Sequence, residues 1–169
     1  MRRIIILSLI VILGFSCRQE KQNNTNPPLD DKPRVTGIGG IFFTSEDPEN
    51  LRQWYYRHLG LAPNDYGSMF EFRPADDPEK KAYLQWSPFG ENTTYFKPSE
   101  KEFMINYRVV HIEALVGQLK EQGVTVLDSI ATFEYGKFVH LMDPEGNKIE
   151  LWEPADKSFT DLYEGQTTK

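Results

Sequence analysis

His140 and Glu150 are the residues whose types and spacing most directly suggest chemistry in this 169-residue chain. They flank Asp143-Pro144-Glu145-Gly146-Asn147, a turn-forming segment between two strand-like runs, Lys137 to Met142 and Lys148 to Trp152. Pairing across this turn sets Met142 opposite Lys148 and His140 opposite Glu150, with Val139 and Leu141 on the other face. An imidazole beside a carboxylate can move a proton, with Glu150 abstracting or shuttling it and His140 as its partner. The same histidine also reads as an ordinary sheet residue satisfied by its neighbour, the commoner role. On the run Phe103 to Val109, Met104, Asn106 and Arg108 share one face, so Asn106 or Arg108 can steady developing negative charge. Arg108 with Glu150 reads equally well as a structural ion pair. His58 and His111 fall at a helix end and a helix start and are assigned no chemistry. Gly123, Gly136 and Gly146 read as turn or cap glycines, since no Gly-rich segment joins a strand to a helix in the manner of a phosphate loop.

The elements that must position these residues repeat. A strand from Val35 to Thr44 ends at Asp47-Pro48, a helix cap followed by proline at the first helical position. Leu51, Trp54, Tyr55, His58 and Leu59 then fall at helical spacing, and Gly60 stops the helix. Strands follow at Ser68 to Arg73 and Lys81 to Trp86. The pattern restarts with the strand Phe103 to Val109 and a helix built on Ile112, Leu115, Val116 and Leu119 that closes at Gly123. Val124 to Leu127, Lys137 to Met142 and Lys148 to Trp152 complete it. This is an α+β domain made of two βαβββ modules, about 34–98 and 99–154. Each helix shields only one face of its sheet, so the other faces must enclose a central cavity or pack on each other.

Outside residues 34–154 the composition changes. Arg2 and Arg3 precede an apolar stretch, Ile4 to Phe15, that is short for a membrane span and leads through Gly14 and Ser16 to Cys17, the only cysteine. Residues 1–17 read as a lipoprotein-type signal peptide with Cys17 as the lipidated residue, which predicts an exported protein anchored by lipid to a bacterial membrane and facing the periplasm. A plain secretory signal with an incidental cysteine is the alternative. Residues 18–33 read as a polar tether and 155–169 as a polar tail. A net charge of −6 without a Lys/Arg stripe argues against a nucleic-acid partner.

The segment Asp47-Pro48-Glu49-Asn50-Leu51 through Trp54-Tyr55 to His58-Leu59-Gly60-Leu61, with Asp143-Pro144-Glu145-Gly146-Asn147-Lys148-Ile149-Glu150-Leu151, resembles the vicinal-oxygen-chelate superfamily of glyoxalases, bleomycin-resistance proteins and dioxygenases. The resemblance covers the domain and not the leader, tether or tail. It implies two modules curved around a cavity, commonly with a divalent metal held by one residue from each of four strands. Three of those positions fall on Gly40, on Met104 and on Leu84 (or, with a shift of one residue, Gln85), none of them suited to such an ion. Glu150 alone matches a family metal ligand. The expectation is therefore a site without metal or other cofactor, its cavity formed by Phe42, Leu84, Trp86, Met104 and Trp152 around Asn106, Arg108, His140 and Glu150.

Three functions fit these readings. The first is a lipid-anchored protein binding a small organic molecule, with general acid-base chemistry as an extension. The second is a glyoxalase-like lyase, isomerase or dioxygenase with a divalent metal at a rearranged site. The third is a protein-interaction module without ligand. A homodimer is compatible with all three, because modules can pair within a chain or between chains.

Overall fold

A computed structural model describes residues 32–163 and 165–168. The segment expected to be a signal peptide, Cys17 and nearly all of the expected tether lie outside the described residues. Among the described residues no helix is long and apolar enough to cross a membrane.

In module one, β1 (Arg34–Ser45) leads to α1 (Pro48–Leu59), followed by β2 (Pro63–Asn64), β3 (Gly67–Phe72) and β4 (Ala82–Gly90). The Asp47 side chain accepts the Asn50 backbone N–H at 3.0 Å, Pro48 opens the helix where its missing N–H costs nothing, and Gly60 closes it at φ 71°. Module two repeats the order with β5 (Phe103–Val110), α2 (Ile112–Glu121), β6 (Thr125–Val126), β7 (Ala131–Phe133), β8 (Gly136–Met142) and β9 (Lys148–Pro154). His111 is the N-cap of α2, its carbonyl accepting the Leu115 N–H at 2.9 Å while its own N–H donates to Glu153 Oε1 at 2.5 Å, a structural role.

The strands form one mixed sheet in the order β2-β3-β4-β1-β5-β9-β8-β6, with β7 added beside β8. Within each module the first and last strands run parallel, β1 with β4 and β5 with β9; the modules join antiparallel, β1 to β5. This matches the expected pair of βαβββ units. The short β2 and β6 are the outermost strands of the two modules, and β7 is an addition paired antiparallel with β8.

The outer face of module two carries the larger core: Val109, Ile112, Val116, Val139, Leu141 and Leu151 close on one another under α2. A second cluster, Met69, Tyr83, Trp152 and Phe159, lies on the inner face. Its last member comes from α3 (Asp156–Tyr163), in the segment read as a polar tail. That segment belongs to the folded domain, because its apolar Phe159 and Tyr163 are offered at helical spacing to the sheet's inner face. Beyond α3, Thr168 accepts the Ala62 N–H at 2.8 Å and bonds Ser68 Oγ at 2.9 Å, tying the C-terminal end to module one.

Candidate functional site

The strand registers align one row of residues across the whole sheet. Met69 pairs with Gln85, Gln85 with Gly40, Gly40 with Asn106, Asn106 with Glu150, and Glu150 with His140. Residues directly opposite each other on paired strands share a face, so this row lies on the inner side. There a cavity of about 210 Å³ opens over Gln85, Asn106 and Glu150, walled by Phe42, Trp152 and Phe159 among others.

Glu150 is buried and holds the centre of a polar cluster. Its Oε1 accepts Asn106 Nδ2 at 2.7 Å; its Oε2 accepts the Tyr95 hydroxyl at 2.5 Å and meets His140 Nε2 at 3.0 Å. His140 Nδ1 lies 2.6 Å from Asp128 Oδ2, and the His140 backbone N–H donates to Asp128 Oδ1 at 2.8 Å. The ring is therefore pinned between an inner carboxylate and one whose side chain is 47% exposed. Burial by itself depresses the His140 pKa, but its bonds to Glu150 and Asp128 outweigh burial and raise it above the ordinary value. Burial, reinforced by the Glu150 charge, pushes the Tyr95 hydroxyl far up, so Tyr95 stays a donor. Lys148 donates to the Tyr95 carbonyl at 2.6 Å and sits over the Tyr95 ring, and burial depresses its ammonium despite the nearby Asp128 and Glu150.

The structure brings His140, Glu150, Asn106, Phe42 and Trp152 together at this cavity. It places the other expected site residues elsewhere. Trp86 faces α1, with its ring 4.6 Å from Tyr55 and 5.3 Å from Phe43. Leu84, two residues away on β4, shares that outer face, and Gln85 is the β4 residue in the row. The one-residue shift to Gln85 is the alternative the registers select: Gly40 lies opposite Gln85 as Asn106 lies opposite Glu150, a spacing along the chain that differs by one residue between the modules. Met104 is fully buried opposite Phe42, on the inner side but outside the cavity wall. The residue opposite Glu150 is Asn106, two positions further along β5. Arg108 does not pair with Glu150. It bonds Asp156 of α3 at 2.6 Å and lies 5.0 Å from the Trp152 ring centroid, so α3 satisfies its charge.

Tyr95 and Asp128 were missed because both come from loops, where no periodicity indicates direction. Phe159 and Tyr163 were missed with the tail, although their spacing of four residues was a legible helical signal.

Two glycines shape the floor. A β-bulge lies between Ile38 and Gly40. A Cβ on Gly39 would come within 2.2 Å of Asn106 Oδ1 and 2.8 Å of the Trp152 ring, so only glycine lets those side chains cross β1. A Cβ on Gly40 would meet the Phe42 ring at 2.5 Å. The Phe42 ring thus takes the space that a side chain at Gly40 would use.

The divalent metal associated with this fold does not fit these residues. The row offers one carboxylate, one imidazole bonded at both nitrogens to Asp128 and Glu150, two neutral amides, a thioether and a glycine covered by an aromatic ring. Gln85 bonds Asn64 at 3.3 Å, and Oε2 of Glu150 already has two partners. Among the described residues no group of three His, Cys, Asp or Glu side chains is arranged to hold a metal ion.

No protein-family model matches the chain, and a search of curated proteins gives no match. Among solved structures it is similar to a Streptomyces coelicolor methylmalonyl-CoA epimerase variant in complex with 2-nitronate-propionyl-CoA, at 18% identity and a TM-score of 0.52, over 72% of this chain and 99% of that one. A methylmalonyl-CoA epimerase in complex with methylmalonyl-CoA and NH4+ gives 18% identity and a TM-score of 0.53, over 72% and 96%. A glyoxalase/bleomycin resistance protein/dioxygenase superfamily member from Vibrio splendidus 12B01 gives 13% identity and a TM-score of 0.44, over 72% and 99%. Identities this low speak to the fold alone: the two epimerase structures show that this chain shares their fold, built here from paired βαβββ modules on one mixed sheet.

Proposed function

We propose that the chain binds a small organic molecule in the inner cavity, held by aromatic walls and oriented by Glu150, without a metal. The observation that carries this reading is the bonding of Glu150. An ionised carboxylate offers about four acceptor positions. Tyr95, His140 and Asn106 take three, which leaves one on Oε1 at the cavity floor. An aromatic pocket with one oriented acceptor is the usual makeup of a small-molecule site. The sequence adds a location: Cys17, carrying lipid, would hold the domain at a bacterial membrane surface, facing the periplasm.

The test is saturable binding of small aromatic probes such as toluene and 2-phenylethanol, read by tryptophan fluorescence. Gln85→Trp, which narrows the cavity, should abolish the response. Unchanged binding in Gln85→Trp, or no binding to the wild-type chain, contradicts the reading.

The line Asp128, His140, Glu150 favours a second reading, proton transfer. His140 touches both carboxylates and so links the cavity floor to a solvent-facing acid. A bound molecule with an acidic C–H at Glu150 Oε1 would lose its proton to the carboxylate, and His140 would lower the cost of that transfer. Turnover of 2-oxoaldehydes that survives Glu150→Gln would count against this role.

A further inference from the structure

Seven of the twelve residues lining the inner cavity are aromatic, and Glu150 is the only charged one. Of the nearby cations, Arg108 is engaged by Asp156, while Lys148 bonds the Tyr95 carbonyl, sits over the Tyr95 ring and lies in the field of Asp128 and Glu150. With Lys148 counted, Asp128, Glu150 and His140 form a cluster that is net negative while the imidazole is neutral and balanced when it is protonated. A cavity with aromatic walls and an open carboxylate acceptor position at its floor attracts a cation twice, through the ring quadrupoles and through a charge-assisted hydrogen bond. An anion would lose on both counts. The volume of about 210 Å³ exceeds the roughly 150 Å³ that accepts benzene, which leaves room for one ring and a short chain.

We infer that the ligand is a small arylalkyl amine bound as its ammonium ion, donating N–H to Glu150 Oε1 with its ring among Phe42, Tyr66 and Phe159. This rests on the small-molecule reading above.

The test is calorimetry on the full chain at pH 7 with three probes that share a phenylethyl group: phenethylamine, 2-phenylethanol and 3-phenylpropionate. Phenethylamine is expected to bind at least ~10-fold tighter than the alcohol, with the acid weakest. Glu150→Gln should erase the preference for the amine. Tyr66→Leu, at an exposed position where folding is not at stake, should weaken phenethylamine by roughly 2- to 5-fold. Alcohol binding as tight as the amine overturns the inference while leaving the cavity a small-molecule site. No saturable binding of any of the three overturns both. Unchanged amine affinity in both variants overturns the assignment to this cavity.

Discussion

The two modules share a strand plan and differ in what they place on it. Gly40, Gln85 and Met69 of module one stand where Asn106, Glu150 and His140 stand in module two, each trio on the first, last and penultimate long strands. One half contributes an acid, an imidazole and an amide; the other contributes a glycine, a neutral amide and a thioether. The helical layers differ as well. Helix α2 buries Ile112 and Val116, while α1 buries no residue and leaves Trp54, Tyr56 and Leu59 exposed. A duplicated scaffold therefore does not need symmetrical chemistry. Module two builds the polar cluster, and module one supplies Phe42 and two glycines that give it room.

Removing Glu150 should separate the halves most sharply. Glu150→Leu strands the Tyr95 hydroxyl, the Asn106 amide and His140 in a buried site, and should cost about 3–5 kcal/mol. The matching change in module one, Gln85→Leu, breaks a weaker bond to Asn64 and should cost about 1 kcal/mol or less. Urea denaturation measures both, and similar losses would show that the modules are not so divided.

A smaller effect sharpens the role of the glycines. Gly39→Ala forces a Cβ into Asn106 and Trp152 and should destabilise by about 1–3 kcal/mol. Gly37→Ala, two residues earlier on β1 with nothing within 4 Å of its added Cβ, should stay within about 0.5 kcal/mol.

The smallest expected effect is pH-dependent and confined to module two, since Met69 does not titrate. The folded pKa of His140 is raised: burial opposes the shift, but the bonds to Glu150 and Asp128 prevail. Its contribution to stability is thus fully present below the unfolded value of 6.5 and is lost as pH rises through the higher folded pKa. Asp128→Asn should move that pKa down and narrow the window, at a cost of about 1 kcal/mol or less because Asp128 is half exposed. Proton NMR of the His140 ring against pH reads the shift directly, and an unmoved titration in Asp128→Asn would remove Asp128 from the cluster.

The succession of long strands along the chain, the two module helices and the closing hairpin were legible because amphipathic spacing and turn chemistry are local. His140 opposite Glu150 followed from the hairpin for the same reason. Facing on β4 was not legible: Trp86 and Trp152 invite alignment by type, whereas backbone register decides direction, and it differs by one residue between the modules. Tyr95 and Asp128 reach Glu150 and His140 across the fold from loops, through contacts that no spacing in the chain encodes.

The most direct measurement follows the three indole N–H resonances during titration with phenethylamine. Trp152 lines the cavity, with its Nε1–H donating to the Tyr135 carbonyl at 3.2 Å, while Trp86 faces α1 and Trp54 lies exposed on it. A saturable shift at Trp152 with Trp54 and Trp86 still is the predicted result. Movement at Trp86 in its place, or no movement at any of the three, would contradict ligand binding at the Glu150 cavity.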